Sequence, residues 1–313
     1  MARIDSFGLD VGIYGPLAKP EIILGLAQQA ESAGFESIWV ADHVAFPVTY
    51  RSEYPYSAKG DFPTRLADPL MEPVATMGVL VGATKRVKIG TAVLIMPYRN
   101  PLLLARMMVT LDQMSGGRMI LGAGTGWLEE EFEVLNAFDF KKRGRVTDEY
   151  IEIFKAICAG GEVGYKGETH SFAPVVSEPG SVQRPHPPVL IGGLSTPALR
   201  RVAKHGSGWL AVTASPKQLE ESLVTLKRLT VENGRRFEDL DLTYKMFLGI
   251  DQPKQSRFDS REPGTGSVAE IIDDLKRIFA LGFTRIVVLY RGQGADEQRR
   301  QLDRFVDEIV PKV

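Results

Sequence analysis

Short β-rich runs alternate with amphipathic helical runs along almost the whole chain, and this alternation constrains the fold more than any other feature. The β-rich runs fall at residues 7–13, 37–41, 87–94, 119–122, 189–192, 209–212, 242–250 and 285–290. After the first of them, Ile22, Ile23, Leu26, Ala27 and Ala30 share a helical face, and Gly34 sits where a C-cap belongs. The spacing predicts further helices at 69–83, opened by Pro69, at 101–114, stopped by Ser115-Gly116-Gly117, and at 128–158, broken near Phe138. Others follow at 196–205, 216–233, 268–280 and 296–310, the last with Leu302, Phe305, Val306 and Ile309 as its buried stripe. Ile38-Trp39-Val40 and Val189-Leu190-Ile191 are apolar on both faces, as in a parallel sheet covered by helices. Eight such units in 313 residues predict an α/β protein, a (β/α)8 TIM barrel with long insertion loops, forming one domain over 1–313. An open doubly wound sheet is the alternative.

Charge narrows the function. With 38 Lys plus Arg against 39 Asp plus Glu, the chain lacks the basic footprint that phosphate backbones require, so no nucleic-acid partner is expected. The single cysteine, Cys158, excludes an internal disulfide framework and a Cys-based zinc cluster. None of the four histidines is spaced from another as metal ligands are, and no metal is expected. Neither a signal-peptide pattern nor an apolar run of about 18 residues appears, so the reading is a cytoplasmic protein without a membrane partner.

Three connections exceed what a barrel needs. Residues 44–68 interleave Phe46, Tyr50, Tyr54, Tyr56 and Phe62 with Arg51, Glu53, Lys59, Asp61 and Arg65, which favours a lid over a linker. Residues 162–188 contain an expected hairpin, 164–172, around Lys166-Gly167. Residues 251–267 are polar and rich in Pro and Gly, and read as a flexible connector.

Barrels build ligand sites at the carboxyl ends of their strands. That directs attention to Asp42-His43, to 91–96, to 122–127, and to Gly192-Gly193-Leu194-Ser195. The glycines of 122–126 let main chain approach a phosphate or flat ring, or simply make a strand-to-helix turn. Their spacing fits neither a dinucleotide fingerprint nor a Walker A loop. Residues 192–195, before a helix starting near Thr196, have the form of a helix N-terminus anion site, although Ser195 or Thr196 would cap that helix in any case. His43 suits a hydrogen bond to a ring oxygen or general acid–base work, against the plainer reading of a packed or solvated loop histidine. Glu129-Glu130-Glu131 reads as the partly solvated first turn of a helix, favoured by the helix dipole, with a catalytic carboxylate there as the lesser alternative.

Together these segments resemble the luciferase-like monooxygenase superfamily, in its branch using the deazaflavin coenzyme F420. The resemblance rests on Ser37-Ile-Trp-Val-Ala-Asp-His43, Thr84-Lys-Arg-Val-Lys-Ile-Gly-Thr-Ala-Val93 and Arg99-Asn-Pro-Leu-Leu-Leu-Ala105. It continues through Thr110-Leu-Asp-Gln-Met-Ser-Gly-Gly-Arg118, 121–132 and Pro187-Pro-Val-Leu-Ile-Gly-Gly193.

The resemblance implies a (β/α)8 barrel and hydride transfer between F420 and an organic substrate. Asp42 and His43 become the catalytic pair, with His43 against the coenzyme ring. Ala92 and Val93 support that ring, with a non-prolyl cis peptide expected between them. Thr125, Gly126, Trp127, Gly192, Gly193, Leu194 and Ser195 complete the coenzyme site. Lys141, Lys142, Arg143 and Arg145 are available for the coenzyme's anionic tail, though a solvated helix face is the favoured reading of the run. Sugar-phosphate dehydrogenases of this branch carry an acid after Gly126, where this chain has Trp127, so the aromatic 44–68 loop points to an apolar or ring-bearing substrate. The alternatives are an FMN-dependent monooxygenase supplied with reduced flavin by a partner, and a non-catalytic flavin-binding protein. A homodimer is implied through the helices after strands two and three, whose faces carry Met71, Met77, Met107 and Met108.

Overall fold

All eight β-rich runs form strands in the computed structural model, which describes residues 4–57, 60–62, 68–256, 261–290, 292 and 294–313. They are β1 (Phe7–Asp10), β2 (Ser37–Val40), β3 (Lys88–Thr91), β4 (Met119–Gly124), β5 (Val189–Gly192), β6 (Gly208–Val212), β7 (Asp241–Ile250) and β8 (Arg285–Tyr290). Each pairs in parallel with the next, and β8 returns to β1 at Phe7↔Ile286, closing a TIM barrel. The surrounding helices are α1 (Pro20–Ala33), α2 (Pro73–Ala83), α3 (Pro101–Ser115), α4 (Glu129–Val134), α5 (Arg143–Ala159), α6 (Thr196–His205), α7 (Pro216–Glu232), α8 (Val268–Ala280) and α9 (Ala295–Arg304).

Two apolar layers follow from the two-sided strands. One lies between the barrel and its helices. The other fills the barrel interior with Trp39, Ala92, Ile120, Leu190, Leu210 and Val287. Trp39 can occupy that interior because Gly8 and Gly90 face it: a Cβ on them would lie 2.5 and 2.6 Å from indole atoms. Its Nε1 donates to Ser37 Oγ at 2.8 Å, so the buried N–H is satisfied.

Departures from the sequence reading have local causes. The helix expected from Pro69 starts at Pro73, because Leu70 forms a bridge with Tyr14 and the Glu72 carboxylate accepts the Ala75 amide as the cap. The strand expected over 87–94 is interrupted at Ala92–Val93 and resumes as Leu94–Ile95 beside β4. The hairpin extends beyond 164–172, pairing Gly161–Lys166 with Ser171–Ser177. Helix α9 ends at Arg304 and passes into a π turn, Phe305–Ile309, in which Phe305 and Ile309 remain buried. Met77 and Met108 turn into the core and so add nothing to an outer face, whereas Met107 is exposed. The 251–267 segment, read as a flexible connector, is tied to the barrel where it is described. Thr265–Gly266 pairs with the end of β7, and Arg261 donates to both Asp274 oxygens at 2.8 Å. Among the described residues no helix is long and apolar enough to cross a membrane.

Candidate active site

The carboxyl ends of the strands surround a cavity of about 1580 Å³, bounded by the loop after β2, the start of α6 and the segment after β7. Every residue assigned from sequence to the catalytic pair, the ring wall or the two strand-end segments lines it: Asp42, His43, Ala92, Val93, Thr125, Gly126, Trp127, Gly192, Gly193, Leu194 and Ser195. Lys59 and Arg65 of the aromatic loop lie outside the described residues.

His43 follows β2 and is only 4% exposed. Its Nδ1 lies 2.6 Å from Oε2 of Glu131, a carboxylate with no exposure at all. The same Oε2 accepts the Tyr98 hydroxyl at 2.8 Å, and Oε1 accepts the Val44 and Ala45 amides at 2.6 and 3.0 Å. Burial pushes the Glu131 carboxyl up, but the hydrogen bond and charge of His43 and the two amides outweigh it and hold it below the ordinary carboxylate range. An ionised carboxylate only accepts, so Nδ1 carries the hydrogen and Nε2 is left with its lone pair when the ring is neutral. Burial, followed by the adjoining Glu131 charge, raises the Tyr98 phenol, so it stays a neutral donor.

This corrects the reading of Glu129-Glu130-Glu131 as a partly solvated turn. Glu130 is largely a loop anchor, accepting the Arg51 amide at 2.6 Å and the Ser52 amide at 3.3 Å. Glu131 lies inside. The signal was present: Glu131 is three residues after Leu128 and four before Leu135, on the apolar stripe of its helix.

Asp42 is placed differently from its neighbour. Its oxygens accept Arg99 Nη1 at 2.6 Å, Arg99 Nη2 at 3.0 Å and the Ile95 amide at 2.8 Å. Burial raises the Asp42 carboxyl, with the Arg99 guanidinium opposing that rise. These bonds make Asp42 a brace between the end of β2 and the segment after β3. The pair with geometry for moving protons is His43–Glu131.

The expected cis peptide joins Ala92 and Val93. The Ala92 amide continues the sheet by donating to Val40 O at 2.7 Å. Val93 is seated where two glycines have no side chain. A Cβ on Gly124 would lie 2.3 Å from Val93 Cγ2, and one on Gly192 would lie 2.5 Å from Val93 Cγ1. Gly122 is required by Thr91 O, which a Cβ would meet at 1.8 Å. Close protein atoms therefore give these glycines a packing reason, beside the ligand approach and the strand-to-helix turn that the sequence left open. At Gly193, φ of +117° is the reason instead.

Aromatic rings close the side above His43. Phe46 lies 4.5 Å from the imidazole centroid, Phe62 stacks on Trp127 at 5.6 Å, and Tyr54 meets Trp127 edge-on at 5.2 Å. At the opposite end, Ser195 caps α6 by accepting the Ala198 amide at 3.4 Å. The basic run divides there. Lys142 and Arg145 are exposed, while Lys141 and Arg143 line the cavity. The Arg143 guanidinium sits 3.7 Å over Phe140 and donates from Nη1 to Phe140 O, but its buried Nε has no partner. Lys245 on β7, which the sequence reading missed, also reaches the cavity. Among the described residues no group of three or more His, Cys, Asp or Glu is placed to hold a metal ion.

The parallel barrel thus carries a large cavity at its carboxyl end, lined by a buried imidazole held by a carboxylate and by apolar and aromatic side chains. The luciferase-like monooxygenase family model matches residues 6–303, and the chain belongs to that family of flavin and F420 oxidoreductases and monooxygenases. An uncharacterised protein of Mycobacterium tuberculosis is 29% identical over 296 residues, covering 92% of this chain and 94% of its own length. An FMNH2-dependent dimethylsulfone monooxygenase of Pseudomonas putida is 30% identical over 59% of this chain and 46% of its own. An F420-dependent glucose-6-phosphate dehydrogenase of Amycolatopsis mediterranei is 26% identical over 77% and 68%. Among solved structures, an F420-dependent secondary alcohol dehydrogenase superposes with a TM-score of 0.79 at 18% identity, over 100% of this chain and 99% of the other, which shows the shared fold.

Proposed function

We propose that the protein transfers a hydride between coenzyme F420 and an organic substrate bearing an apolar or flat ring. The observation that carries this reading is His43, held from behind by Glu131 at 2.6 Å and lining the same cavity as the Ala92–Val93 wall. The residues fit a ligand with a flat ring at one end and an anion at the other. Ala92 and Val93 would back the ring, and Thr125 and Gly126 would flank it. Gly193, Leu194, Ser195 and Arg143 with its unpartnered Nε would hold the anionic end. The F420-dependent relative and the fold of the F420-dependent alcohol dehydrogenase support that choice.

When bound, a deazaflavin supplies a two-electron hydride carrier, and the protein supplies position and proton handling. Neutral His43 takes a proton on Nε2 from a substrate hydroxyl as its carbon is oxidised, and as imidazolium returns one in the reverse direction. Glu131 keeps the hydrogen on Nδ1 and stabilises the imidazolium that forms. Phe46, Phe62 and Trp127 keep water from the imidazole and offer a flat, apolar surface to substrate. Exposed Val79, Leu103 and Met107 on α2 and α3 support a homodimer through that side.

The FMNH2-dependent relative favours a second reading, an FMN-dependent monooxygenase using the same wall. Titrating the purified protein separately with F420 and FMN, followed by absorbance and fluorescence, separates the two. F420 should bind with a dissociation constant of micromolar order and FMN at least about tenfold more weakly, a gap of roughly 1.4 kcal/mol. The opposite order transfers the site to FMN.

A further inference from the structure

One buried ion pair at the base of the cavity has no part in the proton handling described above. Lys245, from the middle of β7, is 4% exposed, and Asp10, at the end of β1, is 1% exposed. Lys245 Nζ donates to Asp10 Oδ2 at 2.5 Å and to the carbonyl oxygen of Ala92 at 3.2 Å. Asp10 Oδ1 is occupied by the Gly12 amide at 2.9 Å. An ammonium has three N–H donors. Two are used, the third has no protein partner among the described residues, and Lys245 lines the cavity.

Stability does not account for this arrangement. A buried ion pair is frequently no more stable than well-packed apolar groups of the same volume, and the interior just beneath is apolar: Trp39, Ala92, Ile120, Leu190, Leu210 and Val287. The charged groups around His43 are bound to one another. Asp42 is bound by Arg99, and His43 and Tyr98 by Glu131. Lys245 is thus a cation with a spare donor, held at the cavity wall by the Asp10 carboxylate and the Ala92 carbonyl.

The geometry points to Lys245 as a ligand-binding residue that donates a hydrogen bond to an anionic or carbonyl edge of the cofactor ring and favours the ring's ionised form. Asp10 is its positioning residue, aiming the ammonium and balancing its charge when no ligand is present. This rests on the reading of the cavity as a flavin-type cofactor site.

The test reads ionisation of the bound ring rather than turnover. Oxidised F420 has an acidic ring hydroxyl whose loss of a proton changes its visible absorbance, so the ionisation midpoint of the bound coenzyme can be followed against pH. In the wild-type protein the midpoint should lie below that of free F420. Lys245→Met should raise it by about one unit or more relative to wild type, a tenfold change in the ionisation constant. Lys245→Met leaves Asp10 buried without its cation, so the double variant Asp10→Asn/Lys245→Met serves if the single one does not fold; it should show the same upward shift. A protein that takes FMN instead is read in the same way through the ionisation of reduced FMN. Coenzyme bound to a folded variant with the wild-type midpoint overturns the assignment of Lys245 while leaving the cofactor site standing. If wild-type protein binds neither coenzyme, both the cofactor site and this assignment fall.

Discussion

At the amino-terminal end of the barrel, Arg285 donates to both oxygens of Glu36 at 2.6 and 3.0 Å, to Asp241 at 2.8 Å and to Thr243 at 2.9 Å, while Lys88 meets Glu36 at 2.8 Å. At the carboxyl-terminal end, about one strand length away, Lys245 keeps one donor unused, His43 keeps Nε2, and Arg143 keeps Nε. Both ends assemble charged residues from strands far apart in sequence. The first network is closed, each charge answered by another side chain that the strand starts bring together. The second is partly open: Arg99 is matched by Asp42 and Glu72, but Lys245, His43 and Arg143 each keep a polar position that no protein group uses among the described residues. A closed network holds a barrel together. An open one has affinity left for something that is not protein, consistent with the general division of labour between the two ends of such barrels.

The sharpest way to break the contrast is to remove the His43–Glu131 pair. His43→Ala should lower turnover by roughly 10²–10⁴-fold while changing coenzyme affinity far less. Glu131→Gln should approach the same loss, because an amide oxygen turned to His43 and Tyr98 leaves its NH2 against the Val44 and Ala45 amides, two donors it cannot satisfy, and turning the amide round costs the imidazole its fixed tautomer. Steady-state rates beside coenzyme titrations check both. The carboxylate also leaves a mark on stability. Glu131 is held below its ordinary range, so its contribution is complete above an unfolded-state pKa of about 4.3 and fades as pH falls through the lower folded value. Wild-type protein should therefore lose more stability on acidification than Glu131→Gln, as melting curves across that range would show. Unchanged turnover in both variants would remove the pair from the mechanism.

The barrel was legible because its signal is repeated. Eight apolar runs, each followed by a helical stripe, leave little choice of architecture, and the resemblance singled out Ala92–Val93 and the strand-end segments that line the cavity. Pairings across the cavity were less legible. Glu131 stands 88 residues from His43 and Lys245 stands 235 from Asp10. Nothing local to either residue says which partner closure of the barrel brings beside it. A run of three glutamates reads as solvated because charge is the strongest local signal. The apolar stripe that draws the third one inward is two residues wide at that point, Leu128 and Leu135. The glycines were ambiguous for the opposite reason: their lack of a side chain was visible, but that Val93 occupies part of the space was not.

Glu36→Gln tests the closed end. Burial works to raise the Glu36 carboxyl, but Arg285 and Lys88 outweigh it and hold it at about 2. Its stabilisation is then fully present above about 4.3 and is lost as pH falls toward that lower value. The variant should unfold with a deficit on the order of 2 kcal/mol near neutral pH, allowing for partial exposure of the carboxylate, and that deficit should shrink in acid. Denaturant titrations at several pH values measure it. Turnover and coenzyme affinity should stay within about twofold of wild type, well under 1 kcal/mol. A larger functional loss in folded protein would mean that the two ends are not separable.

The smallest expected effect distinguishes two physical reasons for one glycine. If Gly192 exists to seat Val93, a methyl group there must displace a side chain 2.5 Å away, and Gly192→Ala should cost about 1–3 kcal/mol through overpacking. Val93→Ala in the same chain removes the atom that the new methyl strikes, so the double variant should recover most of the deficit and most of any lost coenzyme affinity. If Gly192 instead lets an anionic ligand approach the main chain, the methyl obstructs the ligand whatever stands at position 93. Affinity would then stay low in the double variant even as stability returns. Measuring unfolding and coenzyme binding on the two single variants and the double variant separates packing from ligand approach. Recovery of both quantities would place this glycine with the closed, protein-satisfied part of the molecule, although it stands at the open end.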